Sequence, residues 1–239
     1  MMILCLLLVA GLGAVLVWTI WSARAAARQG QPPAVAAADF FNPLGLKPGF
    51  YFSLDLSDYA GLQFRIEEIR DYTVRLAGET FRFAAYCGIS HEPGKEPVRV
   101  QVRVEDRPQV GPESAGLLNA VALHTQDEFG FTQDFYQIVT DNTGLFQVTD
   151  DATGTVKAEY HRPTEVTASI SATVASLKDT GDAGKADPRQ ARVSQIEYWD
   201  YLRDVEDGGT EFLIVELDKK DGWFRILVGP EIDISRVKA

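Results

Sequence analysis

The chain has 239 residues, 46% hydrophobic and 24% charged, which is enough apolar material for one folded domain with a tail and argues against wholesale disorder. Its formal net charge of -11, from 34 acidic and 23 basic residues, repels phosphate backbones and excludes nucleic acid as a partner. The two cysteines, Cys5 in an apolar run and Cys87 far along the chain, are not set to staple a fold, so stability is expected without disulfides.

Residues 1–23 carry no charged side chain. A bilayer core about 30 Å thick is crossed by roughly 20 apolar residues in a helix, so this run is expected to be a single-pass transmembrane anchor, with residues 2–22 in the membrane. Trp18 and Trp21 lie near its C-terminal end, where indole rings favour the headgroup region. Arg24 and Arg28 follow, and positive charge on that side alone predicts that the rest of the chain lies on the cytoplasmic side of an inner membrane. The alternative is an exported domain released by signal-peptide cleavage at an Ala-x-Ala pattern, Ala23 to Ala25 or Ala25 to Ala27. The length of the run, and the absence of a basic residue before it, favour the anchor.

Residues 24–39 include a Pro/Ala-rich stretch and read as a tether. Residues 40–239 read as one β-rich globular domain. Phe50, Phe52, Leu54 and Leu56 define one face of a strand, and Tyr51, Ser53 and Asp55 the other. Leu62, Phe64 and Ile66 alternate with polar residues; Tyr72, Val74 and Leu76 continue the period, then Phe81 and Phe83. Val98, Val100, Val102 and Val104 interleave with Arg99, Gln101, Arg103 and Glu105, which predicts an antiparallel strand with one buried and one wet face. Residues 112–124 read as a short helix, and 163–177 fits either helix or strand. Gly144, Gly154, Gly208 and Gly222 stand in turn sequences that flank strands at 145–149, 155–160, 212–217 and 223–228. The polar segment 178–190 reads as a mobile loop. The two ends are both meanders of aromatic, alternating strands, without a residue-by-residue repeat. The fold class is mainly β, with some α: an antiparallel sandwich or partly open barrel, built of two similar meander units behind the anchor.

Candidate chemistry is sparse. There is no Gly-x-Gly-x-x-Gly, no Walker loop and no Gly-x-Ser-x-Gly, and no cofactor or metal is expected. Cys87 and His91 form a conceivable nucleophile–base pair for a hydrolase. Glu67 with Glu68, or Glu211, Glu216 and Asp218, form conceivable acid–base carboxylates, although alternation puts them on a wet face. Asp141, Asp150 and Asp151, or Asp179, Asp182 and Asp187, lack the spacing of a calcium loop. His124 and His161 have no metal-ligand spacing. The aromatic cluster Tyr198, Trp199, Tyr201, Phe212, Trp223 and Phe224 reads differently. Trp199 and Tyr201 share one face of a strand and Tyr198 takes the other, so Trp199, Tyr201 and Trp223 are the expected partner-binding residues; a strand buried on both sides is the alternative.

The run Pro43-Leu44-Gly45-Leu46-Lys47-Pro48-Gly49 resembles the YjfK-like uncharacterised bacterial family. So do Asp127-Glu128-Phe129-Gly130-Phe131-Thr132-Gln133, the strand Glu211 to Leu217, and Val228-Gly229-Pro230-Glu231-Ile232. That resemblance supplies no catalytic residues and implies a membrane-associated role beside envelope-stress proteins. The expected function is therefore a non-enzymatic, membrane-anchored interaction or scaffold module that holds a protein partner or copies of itself.

Overall fold

A computed structural model describes residues 40–76, 79–106, 119–141, 144–149, 153–162, 170–180, 191–206 and 208–239. The expected anchor and tether lie outside the described residues, as do 181–190 of the polar segment and Asp150, Asp151, Asp182 and Asp187. Among the described residues no helix is long and apolar enough to cross a membrane.

The period-two pattern becomes strand wherever it is strong. The first half of the domain holds β1 (Tyr51–Leu54), β2 (Phe64–Leu76), β3 (Glu79–Ser90), β4 (Val98–Asp106) and β5 (Asn119–Gly130). Helix α1 (Gln133–Asp141) and the hairpin β6 (Leu145–Thr149) and β7 (Val156–His161) come next. The chain closes with β8 (Ile170–Lys178), β9 (Arg192–Asp204), β10 (Thr210–Asp218), β11 (Trp223–Asp233) and the short β12 (Val237–Lys238). Two sequence expectations are corrected or decided here. Residues 119–124, read as the end of a helix, pair with β4 and β11 as strand, because tertiary pairing overrides the local pattern. The ambiguous stretch is strand from Ile170 onward, paired on both sides.

Strands β2 to β5 form one antiparallel meander and β8 to β11 another. Each meander has two seams to the other, β5 against β11 and β2 against β8, both antiparallel. The result is a closed eight-stranded barrel, not a sandwich, and not the partly open barrel the sequence left as an alternative. Closure leaves none of the eight as a free edge. Outside it, β1 pairs with β2 and β12, and β7 meets β9 at His161 and Leu202.

The barrel wall is buried on both faces along much of its circumference. On one flank, Phe52, Leu54 and Tyr59 from the N-terminal segment cover Phe64, Ile66, Tyr86, Val100, Val102, Val104 and Ala122. Asp71 pins that segment, its Oδ2 accepting from the Phe41 N–H at 3.0 Å and from Arg82 at 2.6 Å. On another flank, α1 and the β6–β7 hairpin cover Trp199, Tyr201, Leu213, Val215 and Phe224 through residues such as Val139, Tyr136, Phe146 and Tyr160. The alternation in β4 is thus inverted relative to its expected wet face. The valines face outward into the first flank, and the polar partners point toward the lumen, where Gln101 and Arg103 are only 4% and 5% exposed.

At Gly229 the β11 backbone passes directly against β5. A Cβ there would lie 1.9 Å from the Ala122 carbonyl oxygen. No rotamer relieves a contact with backbone, so Gly229→Ala is expected to cost about 3 kcal/mol, the upper end of overpacking penalties. Denaturant unfolding reads this as a lowered midpoint at unchanged slope; an unchanged midpoint would mean that the two strands pass further apart.

Candidate functional site

Residue choice divides the lumen in two. Tyr72, Val74, Phe83, Val121, Leu123, Val174, Tyr198, Ile214 and Leu227 fill one part as an apolar cluster. Tyr72 stacks on Phe83 with ring centroids 4.3 Å apart, and Phe83 meets Tyr198 edge-on at 6.1 Å. The other part is polar and is shaped by two bulges. Glu67 is the extra residue in β2, so Arg65 and Glu68 stay on the same face. Gln126 is the extra residue in β5, so Thr125 and Glu128 do the same. Bulges at a barrel rim commonly re-aim side chains in this way.

At the boundary between the two parts sits Glu216, 2% exposed. Its Oε1 accepts from the Tyr72 hydroxyl at 2.8 Å and from Arg103 at 2.5 Å. Its Oε2 lies 3.6 Å from Arg70 and 3.5 Å from Arg225. Each of the outer two guanidiniums has a second carboxylate: Arg70 binds Glu68 at 2.7 Å and Arg225 binds Glu128 at 2.9 Å. Arg103 instead lies over the rings of Tyr72 and Phe83, 5.4 and 5.0 Å from their centroids. Burial alone would raise the Glu216 carboxyl; Arg103, Arg70 and Arg225, with the Tyr72 hydroxyl, outweigh it and hold the group below its usual range. Burial pushes the Cys87 thiol up, against the pull of Arg70.

A depressed carboxyl contributes stability above its unfolded pKa of about 4.3 and loses it as pH falls through the lower folded value. Melting temperature is therefore expected to drop on acidification below about pH 4, and the gap between wild type and Glu216→Gln to narrow there. A gap that stays constant down to the lowest folded pH would contradict this ionisation.

The polar part opens as a cavity of about 460 Å³ lined by Arg65, Glu68, Arg70, Cys87, Arg99, Gln101, Thr125, Glu128, Lys178 and Arg225 among others. A smaller lobe of about 160 Å³ shares Glu68, Arg70, Glu128, Lys178 and Arg225, and adds Trp223 and the Arg192–Asp221 pair. Gln101 is buried on this wall, opposite Cys87 in the β3–β4 ladder, and its Nε2 has no hydrogen-bond partner among the described residues. Arg99, exposed at the rim, has no carboxylate partner among the described residues.

The expected site residues land in different places. Cys87 lines the cavity, but His91 is exposed on the turn after β3, so a hydrolase dyad is not assembled. Glu68 and Glu216 face the lumen, Glu67 is exposed at its bulge, and Glu211 is tied on the outer face to Arg203 and the Tyr160 hydroxyl. Alternation had put these carboxylates on a wet face; for Glu216 the inward face is the dry one. Trp199 and Tyr201, expected on a recognition face, are 0% exposed beneath α1 and the hairpin, so the chain itself covers that face. Trp223 is 49% exposed and stands at the cavity rim. His124 and His161 are on the outside, beside Gln126 and Glu159. Among the described residues no three His, Cys, Asp or Glu side chains converge as a metal site. The sequence reading missed Arg70, Arg99, Gln101, Arg103 and Arg225. Their signal was a polar residue at every second position opposite an apolar face, a pattern shared by a wet surface and a polar lumen.

Closed antiparallel walls around a polar cavity define a small β-barrel with a polar mouth. No family model, curated protein or solved structure matches the chain.

Proposed function

We propose that the chain is a non-enzymatic binding module tethered to a membrane by its N-terminal apolar segment, and that it binds at the barrel mouth and not on an outer aromatic face. One observation carries this reading: a cavity of about 460 Å³ whose wall holds a buried amide at Gln101, its Nε2 without a partner among the described residues. Native proteins leave few buried polar groups unpaired, and a ligand that completes the set is one explanation such a group asks for. The ion pairs around Glu216 hold the mouth in place without a ligand. The uncharged run at residues 1–23 supports the tether, and the resemblance to the YjfK-like family implies a membrane-associated role without itself supplying an anchor.

The test is recovery from detergent-solubilised membranes with a tag after Ala239. Wild type is expected to carry a specific bound species, released on denaturation and identified by mass spectrometry, which Arg99→Glu/Trp223→Ala at the mouth loses. Equal recovery by both would overturn the mouth as the site, and no recovered species would overturn the binding role. Deleting residues 1–28 should move the chain to the soluble fraction; persistence in the membrane fraction would overturn the tether.

A further inference from the structure

We infer that the mouth takes a small oxyanion, a carboxylate or phosphate group, received by Arg99 at the rim and by the buried amide of Gln101; this rests on the reading of the mouth as the binding site. The charges of the cavity wall are already sorted. Glu68 is used by Arg70, Glu128 by Arg225, and Asp179 by Arg65. What remains uncommitted is mostly donor. Among the described residues Arg99 has no carboxylate and Gln101 Nε2 has no acceptor. The Lys178 ammonium stands 4.0 Å from Glu68, at the limit of pairing. Among the described residues Glu67 is the one wall carboxylate without an ion pair, and it is exposed at its bulge. Overall the wall carries five cationic side chains, Arg65, Arg70, Arg99, Lys178 and Arg225, against four carboxylates, in a chain whose net charge is -11. An anion that reaches the mouth thus leaves an acidic surface for a locally cationic one, and finds donors without displacing a native pair. Guanidinium groups match the planar or tetrahedral oxygens of carboxylate and phosphate by paired N–H bonds. The volume suits a small metabolite or one lipid headgroup.

Cys87 is half-buried on the same wall and reports on occupancy. In full-length Cys5→Ser chain, held in detergent for the soluble anions and reconstituted free of detergent for the vesicle arms, it is the remaining thiol, since the sequence has two cysteines. Neutral methyl methanethiosulfonate is the probe, with inorganic phosphate, succinate, phosphatidylglycerol vesicles or phosphatidylcholine vesicles added, and chloride as the control at equal ionic strength. We expect modification slowed about tenfold near ten times Kd, as mass action requires. Protection by phosphate or succinate assigns a free metabolite, and protection by phosphatidylglycerol vesicles alone assigns a headgroup. Arg99→Glu and Gln101→Leu should abolish protection, read in each variant as the ratio of its own rates with and without anion, since wall charge also moves the thiolate population, while a cooperative unfolding transition shows the barrel intact. Protection by none of the anions, or protection that survives Arg99→Glu, overturns the oxyanion and leaves the mouth as a binding site. A thiol that reacts only after unfolding means that the mouth admits nothing, and overturns both readings.

Discussion

Replacing Glu216 by Gln is expected to destabilise the barrel by about 3–5 kcal/mol, the range for removing one member of a buried ionic set. The loss falls unevenly on the three guanidiniums around it. Arg70 keeps Glu68 and Arg225 keeps Glu128. Arg103, with a side chain 6% exposed, keeps no second ion pair among the described residues and rests on the faces of Tyr72 and Phe83. A buried cation without an anion costs far more than a pair lost at the surface. The double variant Glu216→Leu/Arg103→Met removes both the anion and the stranded cation, and should be more stable than Glu216→Gln. Denaturant unfolding of the detergent-solubilised chain measures both. A double variant less stable than the single one would mean that Arg103 is not the stranded charge.

Trp199→Ala is expected to cost a similar about 3–5 kcal/mol, by leaving a large cavity between β9 and α1. The indole is 0% exposed and meets Tyr136 edge-on with centroids 6.1 Å apart. Its Nε1–H has no hydrogen-bond partner among the described residues, so Trp199→Phe gives up no polar contact there and should cost under about 1.5 kcal/mol. The prediction separates a core residue from a recognition residue. If Trp199→Ala unfolds at the wild-type midpoint, α1 does not cover it, and the outer face returns as a docking surface. A capture experiment with Trp199→Ala would otherwise read lost folding as lost binding.

Much of the barrel was legible in the chain. Alternation located β4, β6, β10 and the middle of β9, and set Tyr198 opposite Trp199 and Tyr201. The two meanders were visible as well. Closure was not, because the β2–β8 and β5–β11 seams join residues far apart in sequence and leave no local trace. Helix α1 was missed: over nine residues, Phe135 and Val139 give one turn of spacing, too little to outvote the strands on either side. The site was illegible for a related reason. Period two assigns residues to two faces without saying which is inside, and here both faces of β4 are covered. The bulges at Glu67 and Gln126, which gather the mouth, emerge only from the register.

The most direct test of the central claim is size-graded alkylation of Cys87 in the native Cys5→Ser chain. A closed barrel with one polar mouth predicts that methyl methanethiosulfonate modifies Cys87, while a polymer-linked maleimide modifies it only after unfolding. Equal native reactivity toward both reagents would place Cys87 on an open surface and contradict the barrel mouth as a binding site.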